Sequence, residues 1–217
     1  MISFSSAFKI LTKRGFKNLF YEFQDWLFFD FYHKLDTQKR INGNKSYVPS
    51  YFKPFKEIIK KLKTKKSETL LIDIGAGKGR IAIGSILIGF QKTIAIEKNR
   101  EVFRILKKNT DKINIRHKII LLNNDALDFR IMHHIKNKKK IKNIIFYAYH
   151  PFNFRKICNL VEKNFLQSSK AIRSNNYFIY YGYCKNKLTS QKYDLIIKSR
   201  ETDITRVMSV YKRKKII

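Results

Sequence analysis

A chain of 217 residues, 44% of them hydrophobic, suffices for one sizeable core plus a modest extension, and this apolar content excludes reading the high charge as disorder. The formal net charge is +31, from 47 Lys and Arg against 16 Asp and Glu. Such a field attracts polyanions, and a phosphate-rich partner, RNA or DNA, is the plainest candidate, with a genome-wide basic proteome as the alternative. AT-rich coding would also raise Lys, but it favours Glu as well, and acids are scarce here. Cys158 and Cys184 stand in no metal-ligand spacing and no disulfide framework, so a reducing, cytoplasmic compartment and no metal are expected. The longest uncharged stretch, 81–91, falls far short of the roughly twenty residues that span a bilayer, so no integral membrane segment is expected.

In chain order, Met1 to Phe20 is basic and free of acids, as targeting peptides are. It lacks their Arg richness and a small-residue cleavage pattern, so it reads as a retained segment. From Phe8 to Leu35 apolar residues recur at near-helical intervals (Phe16, Leu19, Phe20, Phe23, Leu27), predicting one or two aromatic helices. These either pack on the following domain or, flanked by Lys9, Lys13, Arg14 and Lys17, rest on a membrane or clamp substrate. Glu22, Asp25 and Asp30 argue against the membrane. Asp36 to Ser50, with Asn42-Gly43-Asn44 and Pro49, reads as loop. A domain boundary is placed there, with an N-terminal helical extension over 1–46 and the main domain over 47–217.

Helical periodicity returns over Tyr51 to Lys63. Strand-like and helix-like segments then alternate: strand Thr69 to Ile74, helix Gly79 to Phe90, strand Thr93 to Ile96, helix Arg100 to Asn109, strand Ile119 to Leu122. After the charge run Lys136 to Lys142, which reads as a solvated loop, come strand Ile144 to Tyr149 and helix Phe154 to Leu166. Three strands follow: Tyr177 to Tyr183, Tyr193 to Lys198 and Thr205 to Tyr211. Alternation predicts an α/β fold with a parallel sheet and crossover helices, and the terminal strands predict an antiparallel hairpin at its edge.

The first strand runs into Asp73-Ile74-Gly75-Ala76-Gly77-Lys78-Gly79, a glycine turn at the carboxyl end of a parallel strand, where open α/β sheets bind ligands. A phosphate-binding loop would need Ser or Thr after Lys78, and none follows. A dinucleotide loop would space its third glycine one residue later. It would also not carry an acid before the first glycine, where a carboxylate would repel pyrophosphate but can pair with the ammonium of an amino-acid moiety. Two further acids end the next two strands: Glu97, placed to accept ribose hydroxyls, and Asp125, followed by Ala126, placed to meet an adenine edge. Each alone could be a capping or turn residue, whereas three at successive strand ends point to one bound molecule.

Asp73 to Arg80, Glu97 and Asp125 resemble the cofactor motifs of class I S-adenosylmethionine (SAM) dependent methyltransferases, over about Tyr47 to Phe152. The resemblance implies a Rossmann-like, seven-stranded, mostly parallel sheet with an antiparallel C-terminal hairpin. It assigns Asp73, Gly75, Ala76, Gly77 and Gly79 to the methionine part of the cofactor, Glu97 to the ribose, and Asp125 with Ala126 to the adenine. The fourth strand ends in Tyr149-His150-Pro151-Phe152. Amino-methylating relatives carry Asn or Asp where His150 stands, followed by prolines and an aromatic. There an amide or carboxylate orients the target nitrogen, and an aromatic stacks on a base or covers a side chain. His150 and Tyr149 are the leading catalytic candidates, with Pro151 and Phe152 beside them. The segment is one proline shorter than the adenine-modifying pattern and is similar to a Tyr-Asn-Pro-Phe pattern of bacterial methyltransferases that also carry an Asp-Thr pair like Asp36-Thr37. Tyr47-Val48-Pro49-Ser50 resembles a Tyr-Val-Pro-Thr stretch of small lysine methyltransferases, making Tyr47 a substrate-binding candidate. The expected activity is methyl transfer to a macromolecular nitrogen, with RNA or a ribosomal substrate ahead of protein lysine. A catalytically idle nucleic-acid scaffold is the third reading, opposed by the cost of burying three unpaired acids.

Overall fold

The computed structural model describes residues 16–37, 48–130, 133–135, 140–149, 154–172, 174–182, 193–200 and 207–214. Seven strands form one sheet in the order β3-β2-β1-β4-β5-β7-β6: β1 (Thr69–Ile74), β2 (Lys92–Ile96), β3 (Ile119–Leu122), β4 (Asn143–Tyr149), β5 (Asn175–Gly182), β6 (Tyr193–Arg200) and β7 (Val207–Arg213). The pairs β1–β2, β1–β4, β2–β3 and β4–β5 are parallel, and β7 runs antiparallel to β5 and β6. The fold is the Rossmann-like α/β architecture expected, with one refinement. The last strand, β7, is inserted between β5 and β6, leaving β6 at the edge.

Every residue of β1 is buried, as a parallel strand covered on both faces requires. Alternation along the strands divides the interior in two. Leu71, Ala95, Ile145, Tyr147, Ile179, Tyr181 and Val210 join one core with residues of α2 (Phe52–Leu62) and α3 (Arg80–Leu87). Leu70, Ile72, Ile94, Ile144, Phe146 and Phe178 join the other with Ile157, Leu160, Val161 and Phe165 of α5 (Phe154–Ile172). The side-chain period of two therefore places Asp73, Tyr147 and Tyr149 on one face, that of α2 and α3. Helix α4 (Arg100–Lys112) connects β2 to β3. The Asn99 side chain caps its start by accepting from the Glu101 and Val102 amides, as the preference for Asn at this position predicts.

The aromatic N-terminal segment is helical from Phe16 to Asp25 (α1) and continues as a π-helical stretch, Trp26–Tyr32. Phe29 and Leu35 are buried in the same core as α2 and α3. Residues 16–37 are thus packed onto the sheet domain, while the expected boundary near 46 lies outside the described residues. The acids of this segment turn inward. Asp25 binds the Arg80 guanidinium at 3.0 Å, Glu22 lies 3.8 Å from it, and Asp30 accepts from the Thr37 amide and hydroxyl at 2.7 and 2.8 Å. Sequence reasoning used these three carboxylates as an argument against a membrane-facing helix. Their inward orientation removes that argument.

Candidate functional site

An open pocket lies at the carboxyl ends of β1 and β4, lined by Val48, Pro49, Ser50, Asp73, Gly75, Ala76, Gly77, Arg80, Ile81, Tyr147 and Tyr149. Asp73 and Tyr147 are register partners on adjacent strands, so strand pairing alone brings the β1 acid beside the aromatic wall of β4. The Gly75 and Ala76 amides both donate to the Ile96 carbonyl at 2.9 Å, folding the loop back over β2. Gly75, Gly77 and Gly79 have φ of 72°, 58° and 95°, a region that strains any residue with a Cβ. At Gly79 a Cβ would also come within 2.4 Å of Leu106 Cδ1.

Asp73 is fully buried, and its Oδ2 has no hydrogen-bond partner among the described residues. Burial pushes its pKa up to about 7. The Ala82 amide, at the start of α3, opposes the shift, and the Glu97 charge adds to it. A buried carboxylate short of partners is costly unless a cation meets it. Asp73 lines the pocket, so the residues present fit the ammonium end of SAM.

Glu97 bridges the loops. Its Oε2 accepts from the Gly77 amide at 2.9 Å and its Oε1 from the Asn99 amide at 2.7 Å. Two backbone donors fix the carboxylate and leave further lone pairs for ribose hydroxyls. Asp125 stands farther along the strand ends. Its Oδ1 accepts from the Leu127 amide at 3.0 Å and its Oδ2 pairs with Lys98 at 2.8 Å, and these two partners hold its pKa below the usual carboxylate range. It caps the short turn beginning at Ala126, the capping alternative weighed from the sequence. An adenine edge would share it with Lys98. The structure thus gathers Asp73, Gly75, Ala76, Gly77 and Tyr149 around one pocket and joins Glu97 to it through Gly77. Gly79 starts α3, and Asp125 and Ala126 lie beyond Glu97. Tyr47, His150, Pro151 and Phe152 lie outside the described residues.

The way the glycine loop is held from behind was not foreseen from the sequence. Arg80 and Lys78 are both almost fully buried. Arg80 pairs with Asp25, whose Oδ2 also accepts from the Phe52 amide at the start of α2, at 2.9 Å. Burial pushes Asp25 up to about 6, against the pull of Arg80 and of that amide. Lys78 reaches Asp36 at 3.1 Å, and Asn109 clamps the pair by donating to the Asp36 and Lys78 carbonyls at 3.1 and 2.9 Å. The available signal was the clustering of Glu22, Asp25, Asp30 and Asp36 in an acid-poor chain. Carboxylates placed on an aromatic helix in such a chain have cations to meet.

Structural comparison agrees with this architecture. The putative methyltransferase yhhF of Escherichia coli is 15% identical, with 79% of this chain and 90% of that one covered at a TM-score of 0.58. A putative methylase of Haemophilus influenzae is 15% identical, with 75% and 98% covered at a TM-score of 0.55. An RNA methyltransferase of Salinibacter ruber, solved with S-adenosyl-L-homocysteine, is 12% identical, with 78% and 96% covered at a TM-score of 0.52. In sequence, a 46-residue stretch is 41% identical to an uncharacterized protein of Methanocaldococcus jannaschii, spanning 21% of this chain and only 21% of that relative. The family model described as conserved hypothetical protein 95 matches residues 55–211, from α2 through most of β7, and the chain belongs to that family of class I SAM-dependent methyltransferases.

Proposed function

We propose that this protein transfers a methyl group from SAM to a nitrogen of an RNA or ribosomal substrate. The observation that carries the reading is the buried Asp73 carboxylate, one oxygen unpartnered, lining a pocket walled by Tyr147 and Tyr149. Asp73 would hold the ammonium of the cofactor, Gly75 to Gly79 its methionine part, Glu97 its ribose, and Asp125 with Ala126 its adenine. Bound there, SAM would supply an electrophilic methyl carbon to the acceptor nitrogen and leave as S-adenosylhomocysteine.

The chain's own contribution is orientation and exclusion of water. Tyr149, packed 5.0 Å from the Tyr181 ring, gives a fixed aromatic wall against which a planar base can lie. In this reading His150 would accept a hydrogen bond or proton from the target nitrogen, with Pro151 and Phe152 next to it in sequence and Tyr47 a further substrate-binding candidate. RNA is supported by the charge of +31 and by the acceptor of the Salinibacter ruber neighbour.

The test is transfer of tritiated methyl from SAM to an extract, with nuclease or protease added afterwards. Label is expected to be lost with ribonuclease. Label that survives nuclease and is lost with protease would overturn the RNA assignment in favour of protein lysine. In parallel, His150→Ala should retain S-adenosylhomocysteine binding in calorimetry and lose turnover, so loss of both activities would remove His150 from the acceptor end.

A further inference from the structure

The outer face of the N-terminal helix exposes more apolar surface than packing requires. Phe16, Phe20, Phe23, Leu27 and Phe31 recur at helical spacing and are 74%, 44%, 47%, 45% and 63% exposed, and Tyr32 is 75% exposed. Single exposed aromatics are ordinary, but a contiguous row marks an interaction surface. The rings are ordered: Trp26 lies 5.9 Å from Phe23 and 5.6 Å from Phe31, and the Lys53 ammonium sits 5.0 Å from the Phe20 ring centroid. Lys17 lies on the same segment, over Tyr21. Glu22, Asp25 and Asp30 are bound on the inner side, so the outer face presents rings and ammonium groups.

This face is tied to the methyl-transfer pocket. Asp25, on the inner side of the same helix, binds Arg80, which lines the pocket, and Arg80 also reaches the carbonyl of Ser50, another lining residue, at 3.4 Å. The rings and the Asp25–Arg80 pair lie on opposite faces of one helix, roughly 10 Å across. A polymer with one nucleotide at Tyr149 would meet these rings by passing around that helix.

We infer that the aromatic face of residues 16–32 is a stacking platform for single-stranded RNA flanking the methylated nucleotide, with Lys17 and Lys53 contacting phosphates. The inference rests on the RNA reading above. Bases stack on exposed rings with little regard to sequence, while lysines track the backbone. The combination suits a nucleic acid whose base identity is read elsewhere, at the pocket.

The experiment measures fluorescence anisotropy of the full-length protein with an unstructured RNA of about 12 nucleotides, for wild type and for a combined Phe16→Ala, Phe23→Ala, Phe31→Ala variant. A matching Phe→Leu set and phosphatidylglycerol vesicles complete the arms. Both variants should bind RNA at least about tenfold more weakly, with S-adenosylhomocysteine affinity unchanged as the check on the fold. The Leu set separates stacking from mere apolarity. Wild-type RNA affinity in the variants would overturn the platform while leaving the RNA assignment intact, and loss of vesicle binding alone would assign the face to a membrane. Absence of RNA binding by wild type would overturn both readings. Should the variants fail to fold, photocrosslinking of 4-thiouridine RNA to wild type must map to residues 16–32; crosslinks elsewhere would overturn the platform.

Discussion

Asp73 carries the largest conflict between stability and function in the molecule. Its folded pKa of about 7 lies above the ordinary 3.8, so the folded state holds the proton more tightly than the unfolded one. That contribution to stability falls as pH rises from about 4 to about 7. Asp73→Asn should therefore raise the melting temperature of the cofactor-free protein at pH 7.5, by an amount worth about 2–4 kcal/mol, and by about half as much at pH 5.5. Comparing variant with wild type at each pH cancels the general effect of a basic surface. The same variant should lose S-adenosylhomocysteine binding in calorimetry, because a neutral amide cannot pair with the ammonium. In wild type, cofactor affinity should tighten from pH 6 to 8, and binding near pH 6.5 should release protons, visible as heats that differ between buffers of different ionisation enthalpy. A stable variant that still binds would remove Asp73 from the cofactor site. Asp25, pushed up to about 6 by burial, titrates with the same sign, so some pH dependence persists in the variant.

The elements from β1 through β4 were legible because their signals are local: continuous apolar strands, period-3.6 helices, and glycines at the junction. Their boundaries shifted where local pattern ends. Helix α4 runs to Lys112, three residues past its last expected position, because its final turn is polar. The insertion of β7 between β5 and β6 was not legible, since strands of similar composition do not state their neighbours. Packing of the N-terminal helix on the domain was one expected reading, but the pairs that join α1, α2 and α3, such as Asp25–Arg80, 55 residues apart, were not legible. Truncating Asp25 takes from the buried Arg80 its carboxylate partner at 3.0 Å and removes the acceptor of the first α2 amide. Asp25→Ala should cost about 3–5 kcal/mol in urea unfolding and weaken cofactor binding, as the loop loses its backing. Gly84 reverses the usual rule that Ala improves a helix interior by about 1 kcal/mol. A Cβ there would meet the Phe52 ring at 2.3 Å, beneath the amide that Asp25 holds. Gly84→Ala should destabilise by about 1–3 kcal/mol, and a stabilising result would mean that Phe52 can yield without disturbing α2.

At the scale of the whole molecule, under the proposed RNA reading the charge of +31 and the aromatic face would act through different physics, and salt separates them. Each phosphate neutralised on a single strand contributes about −0.7 to the slope of log affinity against log salt. Stacking contributes to affinity with no counterion release. Anisotropy titrations from low to moderate salt should therefore give a steep slope for wild type. The Phe16, Phe23 and Phe31 substitutions should displace that line downward without tilting it. Lys53→Ala, removing an ammonium that the Phe20 ring holds at 5.0 Å, should reduce the steepness by about 0.7. It should also lower affinity uniformly across RNA sequences, because a phosphate contact carries no base information. If the aromatic variants tilted the line as much as the lysine variant does, the rings would be acting only by placing lysines. Parallel lines for aromatic variants and a shallower one for Lys53→Ala would establish that affinity arises from two additive sources on one face, with the choice of methylated base left to the pocket at Asp73 and Tyr149.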